Sequence, residues 1–146
     1  MNELRIRRAL PPEHLALEAL QRRASLADGL YREQLEAHPD AMAIPLEQVE
    51  RGEVLVAETG GTIVGLAVVI VGESMAELDG LFVEPAYWRT GIGTALADAA
   101  THAARRAGCS LAVTAGHAAR DFYSRCGFVV EGEAETRFGP ALRMSR

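Results

Sequence analysis

Lysine is absent from this sequence of 146 residues, so all 15 of its basic residues are arginine, against 20 acidic residues. A P-loop requires a lysine directly after its second glycine, and this nucleotide site is therefore excluded. The net charge of −5 also argues against nucleic acid as the main partner, because recognition of a phosphate backbone needs a basic surface. We therefore expect no nucleic-acid partner.

Cysteine and long apolar runs are scarce as well. The two cysteines, Cys109 and Cys126, lack metal-ligand spacing, and we expect both to be small buried side chains rather than a disulfide or a nucleophile. No apolar run reaches the roughly 18 residues that a membrane-spanning helix requires. Because no apolar segment follows the basic residues near the N-terminus, a signal peptide is not expected. These absences predict a cytoplasmic protein with no metal and no membrane partner.

The composition that remains, 49% hydrophobic and 24% charged, fits one packed domain over residues 1–146. Apolar periodicity predicts a strand at Leu4–Arg8, followed by short helical segments up to Gly52. Three apolar runs joined by short turns come next and are typical of an antiparallel meander: residues 53–58, 63–71 and 75–83.

The second half of the chain alternates helices and strands. The predicted elements are a long helix at 91–107, a strand at 111–114, a helix at 117–125, and strands at 128–130 and 136–144 with a bulge or kink at Gly139-Pro140. The whole pattern predicts an α+β fold, in which a mixed, mostly antiparallel sheet of six to seven strands is flanked by about four helices.

The segment with the clearest chemistry is Gly91-Ile92-Gly93, which follows a strand and a loop and opens the long helix. Backbone N–H groups in a first helical turn have no intrahelical partner, and together with the helix dipole they predict a phosphate-sized anion site, for which a pyrophosphate is a candidate ligand. Arg89 adds a charged contact and the Thr94 hydroxyl a neutral one. The alternative is that both glycines only permit tight packing of the helix. A dinucleotide fingerprint is excluded, because Leu96 replaces its third glycine.

Two motifs together resemble the GNAT superfamily of acyl-CoA-dependent N-acetyltransferases. The first is Val83-x-Pro85 followed by Gly91-Ile92-Gly93, and the second is Ala119-x-x-Phe122-Tyr123-x-x-x-Gly127-Phe128. They occur in that family's order, and the predicted elements from Leu4 to Met144 follow its plan. The resemblance implies a GNAT-like fold and acetyl-CoA as co-substrate.

The resemblance also implies roles for individual residues. The strand residues Leu81, Phe82 and Val83 would pair with the pantetheine amides like an added strand. Tyr123 would act as general acid towards the departing thiolate. The pyrophosphate would be held by the amides of Arg89, Thr90, Gly91, Ile92, Gly93 and Thr94. Two positions depart from the family pattern, because Trp88 stands where Gln or Arg is usual and Gly116 stands where Asn is frequent.

Glu77 and Asp79 are the candidate proton acceptors, since an amine nucleophile must lose a proton before or during attack. They are two residues apart on one predicted strand, so we expect them on one face of the sheet. In several family members a Glu at the spacing of Glu77 serves as base, and Asp79 is the candidate for holding the amine. Each carboxylate has the alternative of simply capping or pairing with an arginine. His117 is a further candidate, as a proton relay.

The sequence thus predicts an enzyme that transfers an acetyl group to an amine of a small molecule or peptide, by direct attack in a ternary complex. The acceptor is expected to enter between residues 25–40 and the hairpin at 137–140, and the acidic balance favours a cationic amine. The competing hypothesis is a non-catalytic acyl-CoA-binding or sensing domain with the same fold. A homodimer is one candidate assembly.

Overall fold

The computed structural model describes residues 3–146 and contains one seven-stranded sheet with helices on both faces. The strands are β1 (Leu4–Arg8), β2 (Val54–Thr59), β3 (Thr62–Val71), β4 (Met75–Val83), β5 (Ser110–Ala115), β6 (Val129–Thr136) and β7 (Gly139–Ser145). The α-helices are α1 (His14–Ala27), α2 (Arg32–Ala37), α3 (Leu46–Glu50), α4 (Ile92–Arg106) and α5 (Arg120–Arg125). Short 3-10 turns precede α1 and α5.

The strand order in the sheet is β1-β2-β3-β4-β5-β7-β6, and every neighbouring pair is antiparallel except β4 and β5. This parallel pair extends over only three residue pairs, from Met75↔Ser110 to Glu77↔Ala112. Beyond Glu77, β4 continues to Val83 paired with β3 alone within residues 3–146. The sheet is therefore split in the middle, and one end of β4 borders a gap.

Each face of the sheet has its own apolar core. The α4 face is built on alanines, and a Cβ at Gly65 of β3 would lie 2.9 Å from the Leu96 side chain, so small residues let helix and strand approach closely. The α1 face buries Leu17 and Leu20 against strand residues that include Leu66. No helix in the described part of the chain is both long and apolar enough to cross a membrane.

The predicted fold class is confirmed, with seven strands and with five α-helices rather than about four. The expected C-terminal strand at 136–144 is wrong in detail. β6 runs on to Thr136, the chain turns at Arg137 and Phe138, and β7 begins at Gly139. Gly139 has a φ of +115°, and the Thr136 hydroxyl donates to its carbonyl at 2.7 Å, so this glycine completes a hairpin turn instead of kinking a strand. Cys109 and Cys126 are buried and free, as predicted.

Candidate active site

The free end of β4 presents main-chain groups to the gap in the sheet. The Glu84 N–H donates to the Val64 carbonyl at 2.8 Å, which makes Gly65↔Val83 a non-hydrogen-bonded pair of the β3–β4 ladder. Because the two types of pair alternate along an antiparallel ladder, Ala67↔Leu81 is also a non-hydrogen-bonded pair. The N–H and C=O groups of Leu81 and Val83 therefore point away from β3, towards the side where β5 does not pair.

A row of unpaired amides follows directly after this strand. None of the six backbone N–H groups from Arg89 to Thr94 donates to an acceptor within residues 3–146, and the first bond of α4 is from the Ala95 N–H to the Gly91 carbonyl at 3.0 Å. The helix dipole adds partial positive charge at this end. The predicted anion site thus has the donors it requires.

Gly91 and Gly93 have different reasons to be glycine. Gly91 adopts a φ of +88°, and a Cβ there would meet nothing within 4 Å, so the residue is needed for its backbone conformation. A Cβ at Gly93 would lie 3.1 Å from two ring carbons of Phe122, so this glycine lets α4 pack closely against α5. The packing interpretation therefore applies to Gly93, while Gly91 shapes the amide row.

These elements enclose a groove of about 680 Å³, which we call the cofactor groove. It is bordered by Leu81 and Val83 of β4, by the α4 start, and by Tyr123 of α5. Of the residues expected to bind the cofactor, Leu81, Val83, Arg89, Gly91, Gly93 and Thr94 line it. Phe82 lines the neighbouring cavity instead, Ile92 is buried in the core, and the Thr90 hydroxyl donates to the Tyr87 carbonyl.

Arg125 also lines this groove and was missed in the sequence. Neither Arg125 nor Arg89 forms an ion pair with a described residue, so both cations are available to an anion. The helical period could have predicted this position, because Arg125 follows Phe122 by three residues and therefore lies on the same face of α5. Arg89 has a φ of +63°, the only positive value of a non-glycine residue in 3–146, a conformation that costs about 1 kcal/mol.

Tyr123 is 8% exposed at the wall of the groove, where its ring meets Phe122 and Phe128 edge-on. Burial raises the pKa of the phenol well above its usual value, with a smaller contribution from Cys126. The hydroxyl has no hydrogen-bond partner among the described residues. Tyr123 therefore remains a neutral donor throughout the physiological pH range.

Trp88 lies where the cofactor groove meets the cavity on its other side, and lines both. Its indole Nε1–H donates to the Val83 carbonyl at 2.7 Å, one of the main-chain groups that face the gap. Nearby, the Arg23 guanidinium binds Glu84 at 2.7 and 2.8 Å and holds the pKa of that carboxyl below its usual range. The loop after β4 is thus fixed to both the strand and α1.

The two predicted proton acceptors have different surroundings. Both carboxylate oxygens of Glu77 accept hydrogen bonds from Arg143 of β7, one of them at 2.8 Å. For Glu77, the alternative given by the sequence, pairing with an arginine, is therefore what the structure contains. Asp79 is exposed and has no partner among residues 3–146. It is also the extra residue where the β3–β4 register shifts between Val69↔Leu78 and Val68↔Gly80. The alternation expected to place both carboxylates on one face is interrupted there.

The second cavity, of about 490 Å³, lies where the acceptor was expected to enter, and we call it the acceptor cavity. Tyr31 and Phe138 border it, stacked at 6.3 Å, and the Arg137–Asp40 ion pair of 3.1 Å joins the same two segments. The hydrogen bond from Arg137 in this ion pair holds the pKa of the Asp40 carboxyl below its usual range. A Cβ at Gly116 would lie 3.2 Å from the Tyr31 hydroxyl, so the missing Asn leaves room for this tyrosine.

His117, the candidate relay, is exposed in the 3-10 turn before α5 and lines neither of these two cavities. Within residues 3–146, no three His, Cys, Asp or Glu side chains are grouped closely enough to hold a metal ion. The polar groups of the described site are main-chain amides, a phenol, arginines and carboxylates.

Solved structures share this fold. The N-acetyltransferase PaiA from Thermoplasma acidophilum, solved with coenzyme A, is 22% identical with a TM-score of 0.78, over 99% of this chain and 98% of that one. The ribosomal-protein-S18-alanine N-acetyltransferase from Escherichia coli is 18% identical with a TM-score of 0.73, over 98% and 92%. An aminoglycoside 6'-N-acetyltransferase complexed with coenzyme A is 17% identical with a TM-score of 0.74, over 97% and 96%.

No curated protein matches the sequence. The family model of the acetyltransferase (GNAT) family matches residues 20–128, a span that includes the free end of β4, the amide row and Tyr123. With about three quarters of its length matched and the fold in agreement, this chain belongs to the GNAT family of acetyltransferases.

Proposed function

We propose that the protein is an N-acetyltransferase that transfers an acetyl group from acetyl-CoA to an amine of a small molecule or peptide, by direct attack in a ternary complex. The observation that carries the proposal is the row of six amides without acceptors, from Arg89 to Thr94, at the entrance of a groove that leads to Tyr123. Six adjacent free donors beside two free arginines fit a pyrophosphate.

The free end of β4 supports the same ligand. Leu81 and Val83 offer donors and acceptors to the gap at the spacing of an extended strand, which suits the two amides of pantetheine. The Val83 carbonyl already accepts the Trp88 indole, so an incoming amide would share this oxygen or displace the ring. When bound, acetyl-CoA supplies the thioester that the amine attacks.

Stabilising the developing charges is the task of the chain's own groups. An unpaired N–H near the end of β4 would bind the thioester oxygen as it becomes negative. Tyr123 would donate a hydrogen bond to the departing sulfur. A phenol already has a higher pKa, about 10, than a thiol, about 8.5, and burial raises the pKa of Tyr123 further. Donation of a hydrogen bond without full proton transfer is therefore the role that its surroundings favour.

Of the two carboxylates, Asp79 is the freer to take the proton of the amine, directly or through water. Its oxygens are free, whereas those of Glu77 are both engaged by Arg143. In this assignment Glu77 has a structural role, because its ion pair with Arg143 links β4 to β7, the two strands that flank β5. An alkyl ammonium has a pKa of about 10.4, so an acceptor for this proton is required near neutral pH.

One observation favours the non-catalytic acyl-CoA-binding domain as a second candidate. The hydrogen bond from the Trp88 indole occupies the Val83 carbonyl, one of the β4 acceptors that would pair with pantetheine. Trp88 is also one of the two residues that depart from the family pattern. Both candidates bind coenzyme A, and only the enzyme releases its thiol in the presence of an amine.

The test combines binding with turnover. Trp88 is the only tryptophan of the chain, so its emission reports directly on the junction of the two cavities. We expect coenzyme A to change that emission saturably, calorimetry to give the same affinity, and acetyl-CoA to release free thiol with at least one amine. Binding without release from any amine would favour the acyl-CoA-binding domain. Folded protein with no affinity for coenzyme A would refute both functions.

A further inference from the structure

Gln21 is a buried amide without a partner at the wall of the acceptor cavity. It lies on the buried face of α1, is 7% exposed, and lines the cavity beside Ser25. Its side chain makes no hydrogen bond to any residue in 3–146. Its amide atoms remain accessible from the cavity, so on an otherwise apolar helix face they are a donor and an acceptor that a ligand in the cavity can use.

The charge of the cavity restricts what that ligand can be. Asp28 is the only charged residue that lines it. Two arginines next to lining residues are already bound, Arg137 by Asp40 at 3.1 Å and Arg143 by Glu77. A carboxylate or phosphate on the acceptor would therefore find no free cation in the cavity and would be repelled by Asp28.

The remaining walls are largely apolar and include four aromatic side chains. Tyr31 and Phe138 stack on one side, Phe82 belongs to β4, and Trp88 separates the cavity from the cofactor groove. A cavity with such walls and a few polar groups binds ligands that bury an apolar or aromatic body. A slender polycation would leave these surfaces unfilled.

Resting on the proposed function, we infer that the acceptor is an α-amino amide with a bulky apolar side chain. Its side chain fills the aromatic part of the cavity, and its amide pairs with the Gln21 amide, which can donate and accept at once. Its amine is left to approach the end of β4. This group occurs in small amino-acid amides and at the amino terminus of a peptide, and the two sources share the same recognition chemistry.

Matched amines test the inference. We expect L-phenylalaninamide to be acetylated with a kcat/KM, expressed per unprotonated amine, at least about tenfold above that of 2-phenylethylamine, which lacks the amide. This factor is the worth of one buried hydrogen bond. L-phenylalanine, with a carboxylate instead, should be the poorest of the three. The peptide Phe-Ala-Ala-amide distinguishes the sources, since its use in addition indicates a peptide terminus and its rejection a small amide.

Gln21→Leu should lower the kcat/KM for L-phenylalaninamide about tenfold more than it lowers the kcat/KM for 2-phenylethylamine, so the preference for the amide falls by that factor. Gln34→Leu, on the exposed surface of α2, is the matched control and should keep the preference. A purely structural role of Gln21 would change both substrates alike and would overturn the inference. Equal use of phenylalanine and its amide, or acetylation of spermidine alone, would also overturn it while leaving the proposed acetyl transfer intact. Loss of coenzyme A binding would refute the proposed function itself.

Discussion

Tyr123 combines deep burial with contact to the groove, which few ionisable side chains in this molecule do. Its ring is fixed by Phe122 and Phe128, while its hydroxyl has no partner in the described part of the chain. The hydroxyl is accessible from the groove, so it can donate to a group that arrives with the substrate, as the proposed function requires.

Tyr123→Phe should lower kcat about 10- to 100-fold and leave the affinity for acetyl-CoA nearly unchanged, because only the contact to the departing sulfur is lost. Tyr87→Phe removes a phenol hydroxyl from the rim of the same groove and is the matched control. Thiol release under saturating acetyl-CoA measures kcat, and calorimetry measures affinity. Equal rates for both variants would remove Tyr123 from the chemistry.

Single residues also mark the limit of sequence reasoning. The spacing of Gly91 and Gly93 predicts an anion site, yet it does not distinguish the residue that shapes the amide row from the one that packs on Phe122. The Glu77–Arg143 pair joins residues 66 positions apart, and their proximity depends on how β4, β5 and β7 align. The register shift at Asp79 has one local signal, the adjacent Gly80, because a glycine inside a strand often marks a bulge. The spacing of the two carboxylates alone does not contain this signal, so it predicts a shared face.

At the scale of elements, α4 and α5 meet at the mouth of the cofactor groove. The helix start supplies amides, and α5 supplies Arg125 beside them. An unpaired arginine in contact with such a site strengthens anion binding mainly through charge, and this contribution is screened by salt.

Arg125→Gln should weaken coenzyme A binding about tenfold at low ionic strength and less at high salt, since one charge-assisted contact is removed. Arg105→Gln removes an exposed arginine from the far end of α4 and should bind as the unaltered protein does. Calorimetric titrations at two salt concentrations measure both effects. A salt-independent loss would indicate a packing role for Arg125 instead.

The sequence predicts most elements well because apolar alternation and glycine boundaries are local signals. Met75–Val83 is predicted to the residue, and α4 within one residue at each end. The turn at Arg137 and Phe138 carries neither a proline nor an Asn-Gly pair, so the strands at 128–130 and 136–144 are predicted with wrong boundaries. Their hairpin is set by the pairing of β6 with β7, which no local pattern encodes.

At the scale of the whole molecule, ion pairs link segments that are distant in the chain. Arg7 on β1 binds Glu13 before α1 at 2.8 Å and Glu58 on β2 at 3.1 Å. The hydrogen bond from Arg7 is the main cause that holds the pKa of Glu13 below its usual value of 4.5. A carboxyl whose pKa is lowered by folding stabilises the fold above that value, and this stabilisation is lost as the pH falls below it.

Arg7→Met should therefore reduce the free energy of unfolding by about 1 kcal/mol at pH 7, and the deficit should shrink as the pH falls below about 4.5. Arg5→Met, on the same strand with a side chain 75% exposed and 4.0 Å from Glu58, should have little effect at either pH. Urea unfolding at pH 7 and pH 4 measures the difference. A deficit that is the same at both pH values would show that Arg7 acts through packing.

The outermost strand on the C-terminal side, β6, has a consequence for how copies of this chain meet. Glu131, Glu133 and Glu135 lie along it and are all exposed. Two molecules aligned antiparallel edge to edge would bring these like charges together, which opposes continuation of one sheet into another. Whether the β6 edge pairs with that of a second molecule should then depend on ionic strength as well as on protein concentration, because salt screens the repulsion between the glutamates.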